Sequence, residues 1–206
     1  MENLKFYLVL AITMAAISVY SQTDYPAMQE AFSNSYTLEY NGDYTGAIDA
    51  LKKVYQEDNY EVNLRLGWLH YMAGLFTESI TYYQRAITLK PLSIEARLGL
   101  ALPASALGNW EQVKKAYRDI LEIDPNNSLT NYRMGSIFYG EEDYTTALPY
   151  FEKVLNLYPF DYDAMLMTAW TNLKLGKLRE AEVLFNKVLL YKPNDTSATE
   201  GLNQIK

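Results

Sequence analysis

The residues of this chain best suited to chemistry are large aromatic side chains at helical spacing, and the chemistry they favour is non-covalent binding. Leu64, Trp68 and Tyr71 follow an i, i+4, i+7 pattern, which places them on one face of a helix. Tryptophan and tyrosine offer a large contact area at a small entropic cost, and they dominate the binding energy of many interfaces. We therefore predict that this stripe lines a surface that holds another molecule.

Covalent catalysis and metal chemistry lack the residues that they need. The chain has no cysteine and a single histidine, His70, which argues against thiolate or imidazole metal sites and against a catalytic triad. His70 falls in a helical packing stripe, where we expect a hydrogen-bonded core histidine. Asp124 and Asp161 flank prolines, so we interpret them as turn and cap residues rather than calcium ligands. We expect no catalytic, cofactor-binding or metal-binding residues.

The net charge and the N-terminal residues indicate which partners and which cellular location to expect. A formal net charge of −7 without a basic cluster would repel phosphate backbones, so nucleic acid is not expected as a partner. Lys5 precedes an apolar run of 15 residues, 6–20, shorter than the roughly 20 residues that span a bilayer. Residues 1–21 are therefore predicted to be a secretory signal peptide. The mature protein is expected to be periplasmic or secreted, without a stable membrane span; the alternative is an uncleaved anchor.

A ladder of prolines indicates how the binding residues are positioned. Four prolines follow one another at intervals of 34 residues: Pro91, Pro125, Pro159 and Pro193. An aromatic residue stands eight positions before each of them: Tyr83, Tyr117, Phe151 and Phe185. Such a period indicates one helix-turn-helix unit repeated along the chain, with proline at the end of each second helix. We predict one domain, 22–206, with units at about 28–59, 60–93, 94–127, 128–161 and 162–195 and a capping helix at 196–206.

The repeated unit resembles the tetratricopeptide repeat family. The family's Leu-Gly pair appears as Leu66-Gly67, and its small-aromatic-small-proline pattern is closest in Ser79, Tyr83, Ala86 and Pro91. The resemblance implies an all-α fold, a right-handed α-solenoid whose first helices line a concave face. The early tryptophan of the family is replaced in every copy, by Ala31, Asn63, Arg97, Asn131 and Met165.

The resemblance also selects the candidate peptide-binding residues. On the concave face it places Phe32, Tyr36, Tyr40, Leu64, Arg65, Trp68, Tyr71, Leu102, Tyr132, Arg133, Tyr139 and Trp170. Residues that hold equivalent positions in successive repeats form a column. Trp68 and Trp170 are the strongest candidates, because their columns are expected to face away from the stripe that joins the repeats. The alternative is that these aromatic residues pack between repeats. Arg65 and Arg133 are candidates for gripping a carboxylate or a carbonyl, or else are solvated or paired with acids.

The third unit differs from its neighbours at Pro103. A proline in the middle of a first helix predicts a kink, and Gly99, four residues earlier, would ease the distortion. Slim residues surround this position, so we expect a hollow in the face between Trp68 and Tyr132 that receives a side chain of the partner.

These observations favour a non-catalytic scaffold that binds a peptide or protein segment in an aromatic groove, within an extracytoplasmic complex. The alternative is a glycan- or cell-wall-binding module, in which exposed tryptophan and tyrosine stack on sugar rings. Glu39, Asp163 and Asn172 are the acids and amides that would assist such stacking. A second copy of the chain is a further occupant to consider for an uncovered aromatic groove.

Overall fold

The computed structural model describes residues 24–205, and the predicted signal peptide lies outside this range. The described residues are helical with short turns and divide after Gln56 into two compact units. No helix in the range 24–205 is both long and apolar enough to cross a membrane. The predicted all-α class is confirmed. The predicted repeat boundaries and single-domain organisation stay predictions.

The helices follow one another in pairs joined by turns. The first unit contains α1 (Tyr25–Tyr40) and α2 (Tyr44–Lys52). The second contains α3 (Tyr60–Met72), α4 (Phe76–Leu89), α5 (Ile94–Ala106), α6 (Trp110–Ile123), α7 (Ser128–Gly140), α8 (Tyr144–Leu157), α9 (Tyr162–Lys174), α10 (Leu178–Tyr191) and α11 (Thr196–Ile205). Within the second unit each helix contacts the next, as in an α-solenoid.

A polar cap begins every first helix of the second unit. The capping side chain accepts a hydrogen bond from the backbone N–H three residues later, and the caps recur at 34-residue intervals: Asn59, Ser93, Asn127, Asp161 and Asp195. Such caps satisfy backbone donors that have no partner within the helix. The predicted cap at Asp161 is confirmed. Asp124 acts as the predicted turn residue, because its Oδ1 accepts from the backbone N–H of Asn126 at 3.1 Å.

The residues that replace the family's early tryptophan tie the preceding turn to the helix. The Nδ2 of Asn63 donates to the carbonyl oxygens of Asn59 at 2.6 Å and of Glu57 at 3.0 Å. Asn131 makes the same two bonds in its own turn, and Arg97 Nη1 donates to one such carbonyl at 2.9 Å. A buried amide here satisfies backbone acceptors that a tryptophan ring would leave to other groups. The departure from the family pattern thus has a structural cause at three of the five positions, whereas Ala31 and Met165 are buried apolar residues.

One turn between paired helices carries local strain. The residue two positions before the second helix has a positive φ in each such turn of residues 24–205, and it is glycine at Gly42, Gly74, Gly108 and Gly176. In the turn between α7 and α8 the position is taken by Glu142, with φ of 62°. A side chain in the left-handed region costs about 1–2 kcal/mol, a cost that glycine does not have.

Replacing Glu142 by Gly should therefore stabilise the protein by about 1 kcal/mol, because the released strain exceeds the extra chain entropy lost on folding. Urea denaturation of the two proteins measures the difference. Gly108→Ala is the matched control: a Cβ there meets open space, so only the φ of 70° opposes it, and stability should fall. Equal stability of wild type and Glu142→Gly would contradict the strain.

Aromatic rings of the second helices lie directly on glycines of the first helices. The ring of Tyr83 on α4 is sandwiched between Gly67 of α3 and Gly99 of α5, and a Cβ at Gly99 would overlap it. The missing side chain of Gly99 makes room for Tyr83, whereas a kink eased by Gly99 at Pro103 stays a prediction. Helix α5 continues through Pro103, which is buried. Phe185 of α10 meets Gly201 of α11 in the same way. These contacts bring successive helix pairs close together.

Candidate functional site

The candidate residues lie on first helices. In the second unit, α3 contacts α5, while α7 contacts α9 and α9 contacts α11, so the first helices form a layer in two parts that is interrupted between α5 and α7. Most candidates in that layer are half-buried: Leu64, Trp68, Tyr71, Leu102, Tyr132, Arg133, Tyr139 and Trp170. In the first unit, Phe32 is half-buried, whereas Tyr36 and Tyr40 are exposed. Whether these residues bind a ligand stays a prediction.

Trp68 and Tyr71 form one side of the layer on α3. The Trp68 side chain packs against the buried cluster of Tyr83, Leu100 and Ala116, and its ring lies 5.9 Å from that of Tyr71. Leu64 joins the same cluster. Trp68 therefore presents part of its surface to solvent while the rest joins two helix pairs.

Trp170 does not face away from the residues that join the repeats, so the expectation of an outward column is wrong for it. Its ring meets Phe185 of α10 edge-on with 5.2 Å between centroids. Its Nε1 donates to Ser197 Oγ of α11 at 2.9 Å. Because tryptophan at a helix junction supplies both apolar area and a donor, Trp170 attaches the terminal helix.

The two arginines differ in environment. Arg65 is only 9% exposed, which argues against the solvated alternative, and its candidacy for gripping a ligand group stays a prediction. Arg133 is half-buried, and its Nη1 donates to the hydroxyl of Tyr117 at 3.1 Å, a bond from α7 back to α6. At this position Arg133 stands where Gly99 stands one repeat earlier. Where Gly99 lies against the ring of Tyr83, Arg133 bonds the hydroxyl of Tyr117, the residue equivalent to Tyr83.

The tyrosines of α7 are also partly engaged. The ring of Tyr132 lies 5.7 Å from that of Phe151, and the ring of Tyr139 lies 5.2 Å from that of Tyr144. Burial raises the pKa of Tyr132, with a smaller contribution from the negative charge of Asp163. Burial also raises the pKa of Tyr139. Both hydroxyls stay neutral at physiological pH and are suited to hydrogen bonding.

An open hollow lies between α6 and α7. Its volume is about 430 Å³, and it is lined by Trp110, Ser136, Ile137, Gly140 and Glu141. Trp110 is 48% exposed, while the other two tryptophans of the chain are more buried. A hollow of this size is within the range of side-chain and ligand pockets. Pro103 is not among the lining residues.

Small residues on the facing helices explain why Trp110 is uncovered. In α3 and α4, Tyr71 meets Phe76 with 5.9 Å between ring centroids. The equivalents one repeat later are Ser105 and Trp110, and serine has no ring to cover the indole. Ser136 stands in the column of Trp68, which leaves room on the α7 side. Trp110 was not among the residues selected from the sequence, although the serines were a visible signal.

The electrostatics of the hollow are nearly neutral. Glu141 Oε1 accepts from Lys114 Nζ at 3.0 Å, and Lys114 also pairs with Glu111 at 2.8 Å. The hydrogen bonds to Glu111 and then to Glu141 raise the pKa of the Lys114 ammonium. The paired carboxylate and the indole face favour an uncharged, apolar group in the hollow. Within residues 24–205 no group of three or more histidine, aspartate or glutamate side chains is arranged to hold a metal ion.

Packing across the α6–α7 junction is sparser than at neighbouring junctions. Helices α4 and α5, α8 and α9, and α10 and α11 pack more closely, and α5 does not pack tightly on α7 as α3 does on α5. The side chain of Arg133 lies at this junction. The hollow thus coincides with the place where successive helix pairs of the second unit separate most.

Comparison with known families agrees with the repeat pattern. Two family models, each described as tetratricopeptide repeat, match residues 34–94 and 138–205, which together are more than half of the chain. The chain is a tetratricopeptide repeat protein. The buried His70, whose Nδ1 is 2.7 Å from the Leu66 carbonyl oxygen, fits the core role predicted for it in such a repeat.

This tetratricopeptide repeat protein is similar to segments of much longer proteins. It is 31% identical to the human protein O-mannosyl-transferase TMTC1, over 60% of this chain and 14% of that protein. It is 30% identical to human DnaJ homolog subfamily C member 3, over 54% of this chain and 22% of that protein. The chain therefore spans less than a quarter of these curated relatives.

Solved structures share the fold. A tetratricopeptide repeat protein from Parabacteroides merdae superposes with a TM-score of 0.74 at 23% identity, covering 87% of this chain and 72% of the other. MamA superposes with a TM-score of 0.69 at 22% identity, covering 80% of this chain and 91% of the other. At such identities the likeness establishes the α-solenoid fold alone.

Proposed function

We propose that this protein is a non-catalytic scaffold that holds a peptide or protein segment against its first-helix layer, with one apolar side chain of the partner inserted beside Trp110. The half-exposed indole over Ser136 and Gly140 is the observation on which the proposal depends. Binding energy concentrates where an aromatic residue borders a pocket from which water can be expelled. Partner chains commonly supply the missing side chain in such pockets.

The rest of the layer provides a surface around that anchor. Trp68, Tyr71, Tyr132 and Tyr139 each leave part of a ring exposed to solvent. Their tyrosine hydroxyls can bond main-chain groups of an extended segment. The family relationship favours protein binding over catalysis. The apolar N-terminal run supports a location of the proposed complex outside the cytoplasm, in the periplasm or after secretion.

One observation favours glycan binding as a second candidate function. A cavity of about 350 Å³ is lined by Tyr132 and Tyr158 beside the carboxylates of Asp161 and Asp163, with Ser128 and apolar neighbours. Aromatic rings next to carboxylates match the stacking site described above. Asp161 is already engaged in capping α9, so Asp163 is the carboxylate open to a sugar hydroxyl. Of the two functions, peptide binding is favoured because the Trp110 hollow is more apolar.

Replacing Trp110 by Ala should weaken partner binding by at least about tenfold, because truncating a central aromatic anchor typically costs 2 kcal/mol or more. The partner is obtained by affinity purification of the tagged protein from its own host, followed by mass spectrometry. The captured proteins are then compared between wild type and Trp110→Ala. The stability of the variant should fall by about 2 kcal/mol, since the buried half of the indole covers roughly 100 Å² of apolar surface.

Leu178→Ala is the matched control for that experiment. Leu178 holds the equivalent position at the start of α10 and is 45% exposed, but it does not line the hollow. It should leave the captured set unchanged. Capture of the same proteins by Trp110→Ala and wild type, with equal affinity, would contradict the proposal. Retention of wild type on cell-wall polysaccharide in place of defined proteins would favour the glycan function.

A further inference from the structure

A second cavity lies on another side of the second unit, away from the Trp110 hollow. Its volume is about 690 Å³, and helices α8, α9 and α10 enclose it. Thr168 and Asn172 contribute from α9, and the remaining lining residues are Glu152, Leu155, Asn156, Arg179, Glu180, Val183 and Leu184. None of the twelve candidate binding residues lines this cavity. It therefore belongs to a different surface from the proposed docking face.

The cavity exists because two positions that pack against neighbouring helices in earlier repeats hold small polar residues in α9. The column of Thr168 holds Leu66, Leu100 and Met134 in the preceding first helices, and the column of Asn172 holds His70, Ala104 and Phe138. In α7 and α8, Phe138 stacks on Tyr150 with 5.8 Å between centroids and fills the equivalent place. The corresponding pair in α9 and α10 is Asn172 and Leu184, which cannot stack. The smaller, polar residues leave the space open.

Asn172 is the unusual member of the cavity. It is only 4% exposed, and its side-chain amide makes no hydrogen bond with any residue in the described range. Thr168, by contrast, donates its hydroxyl proton to the Ala164 carbonyl oxygen at 2.6 Å. The side-chain nitrogen and oxygen of Asn172 are not among the fully buried side-chain atoms that lack a partner, so they reach the solvent in the cavity and are open to a ligand there. The amide offers a donor and an acceptor side by side.

The residues around the amide indicate the chemistry of a ligand. A peptide bond presents a matching acceptor and donor, so an asparagine side chain can pair with it twice. Two carboxylates line the cavity, those of Glu152 on α8 and Glu180 on α10. The cavity has one positively charged group, the guanidinium of Arg179. The chain as a whole is acidic, which favours a basic partner further. No aromatic ring lines this cavity, so sugar stacking is not favoured here.

We infer that the cavity between α8, α9 and α10 is a second docking site, which takes an extended peptide segment that bears a lysine or arginine. A main-chain amide of the segment pairs with Asn172, and the basic side chain lies between Glu152 and Glu180. Leu155, Val183 and Leu184 supply the apolar contact. The site does not depend on the Trp110 hollow, so each can exist without the other.

Phage display of random linear peptides tests this site. The wild-type protein serves as the bait, and the Asn172→Phe variant serves as the competitor. Selected peptides should be rich in lysine and arginine. Asn172→Phe should weaken their binding by at least about tenfold in calorimetry, because the ring fills the cavity as Phe138 does in α7. Glu152→Gln combined with Glu180→Gln should also weaken binding and reduce its dependence on salt. Trp110→Ala should have no effect on these peptides.

The variants also keep the result interpretable. Asn172→Phe should melt at the same temperature as wild type or higher; if it fails to fold, Asn172→Leu takes its place beside the double glutamine variant. Absence of any peptide that prefers wild type over the filled variant would overturn the inference. Binding on a glycan array that Asn172→Phe abolishes would overturn the peptide class. Loss of peptide binding in Trp110→Ala with retention in Asn172→Phe would assign the selected peptides to the other surface.

Discussion

Replacing Trp170 by Ala should lower the free energy of unfolding by about 3 kcal/mol. The change removes the edge-on contact with Phe185 and the hydrogen bond from Nε1 to Ser197 Oγ. It also leaves a void between α9, α10 and α11. In a solenoid each helix pair is stabilised mainly by its neighbours, so the loss should appear first as increased hydrogen exchange in α11.

Two less drastic variants separate the contribution of the aromatic contact to this stability from that of the hydrogen bond. Trp170→Phe keeps the aromatic contact and loses the donor, so we expect a cost of about 1 kcal/mol. Ser197→Ala should have a similar cost by removing the acceptor. Urea denaturation of the three variants measures the free energies. If Trp170→Ala were as stable as wild type, the side chain would not attach the terminal helix, and its assignment to the groove would be restored.

Replacing Gly99 by Ala should destabilise the protein by about 2 kcal/mol, although alanine is the better helix former by about 1 kcal/mol. The new methyl group would overlap the ring of Tyr83, which is 3% exposed and cannot move into solvent. Burial of that ring also raises the pKa of its hydroxyl. The ring or the helix must therefore shift, and the α4–α5 junction should loosen.

A double-mutant cycle identifies the cause. In a Tyr83→Ala background the same Gly99→Ala substitution should be neutral or stabilising, because the overlap is gone and the helix propensity remains. Gly140→Ala is the matched glycine control: it lies at the end of α7 with nothing within 4 Å of the added Cβ, and it should cost nothing. Equal costs at Gly99 and Gly140 would show that contact with Tyr83 is not the reason for the glycine.

The periodic features of this fold were predictable from the sequence because they depend on local rules. Each proline of the ladder follows the end of a second helix by two residues, and glycine favours the left-handed turn residue, as the local rules predict. The core role of His70 and the cap at Asp161 followed from the same register. These predictions needed no knowledge of which side chains meet across helices.

The exposure or burial of the tryptophans could not be predicted from these local rules. The exposure of Trp110 depends on Ser105 and Ser136, which lie on two other helices. The burial of Trp170 depends on Phe185 and Ser197, of which the latter lies on a helix that was treated only as a cap. A column of residues identifies a face, but whether that face is covered depends on the sizes of residues in the neighbouring columns.

Gly99 illustrates a second reason why sequence reasoning fell short. Its place four residues before Pro103 suggested a local role within α5, and this reasoning missed the contact with Tyr83 of α4. The same column holds Gly201, where Phe185 is the partner. Comparison of the glycines with the aromatic column before each proline would have indicated the contact, since both follow the 34-residue period.

Fluorine NMR of protein labelled with 5-fluorotryptophan tests the docking role of Trp110 most directly, because the chain has three tryptophans and each gives one signal. Single Trp→Phe variants assign the signals to Trp68, Trp110 and Trp170. We expect the NMR signal of Trp110 to have the largest solvent isotope shift in the free protein. The same signal should show the largest change in chemical shift when the captured partner is added. Trp170 should stay in place in both measurements. A partner that displaces Trp170 and leaves Trp110 unchanged would contradict the assignment of the docking site to the α6–α7 hollow.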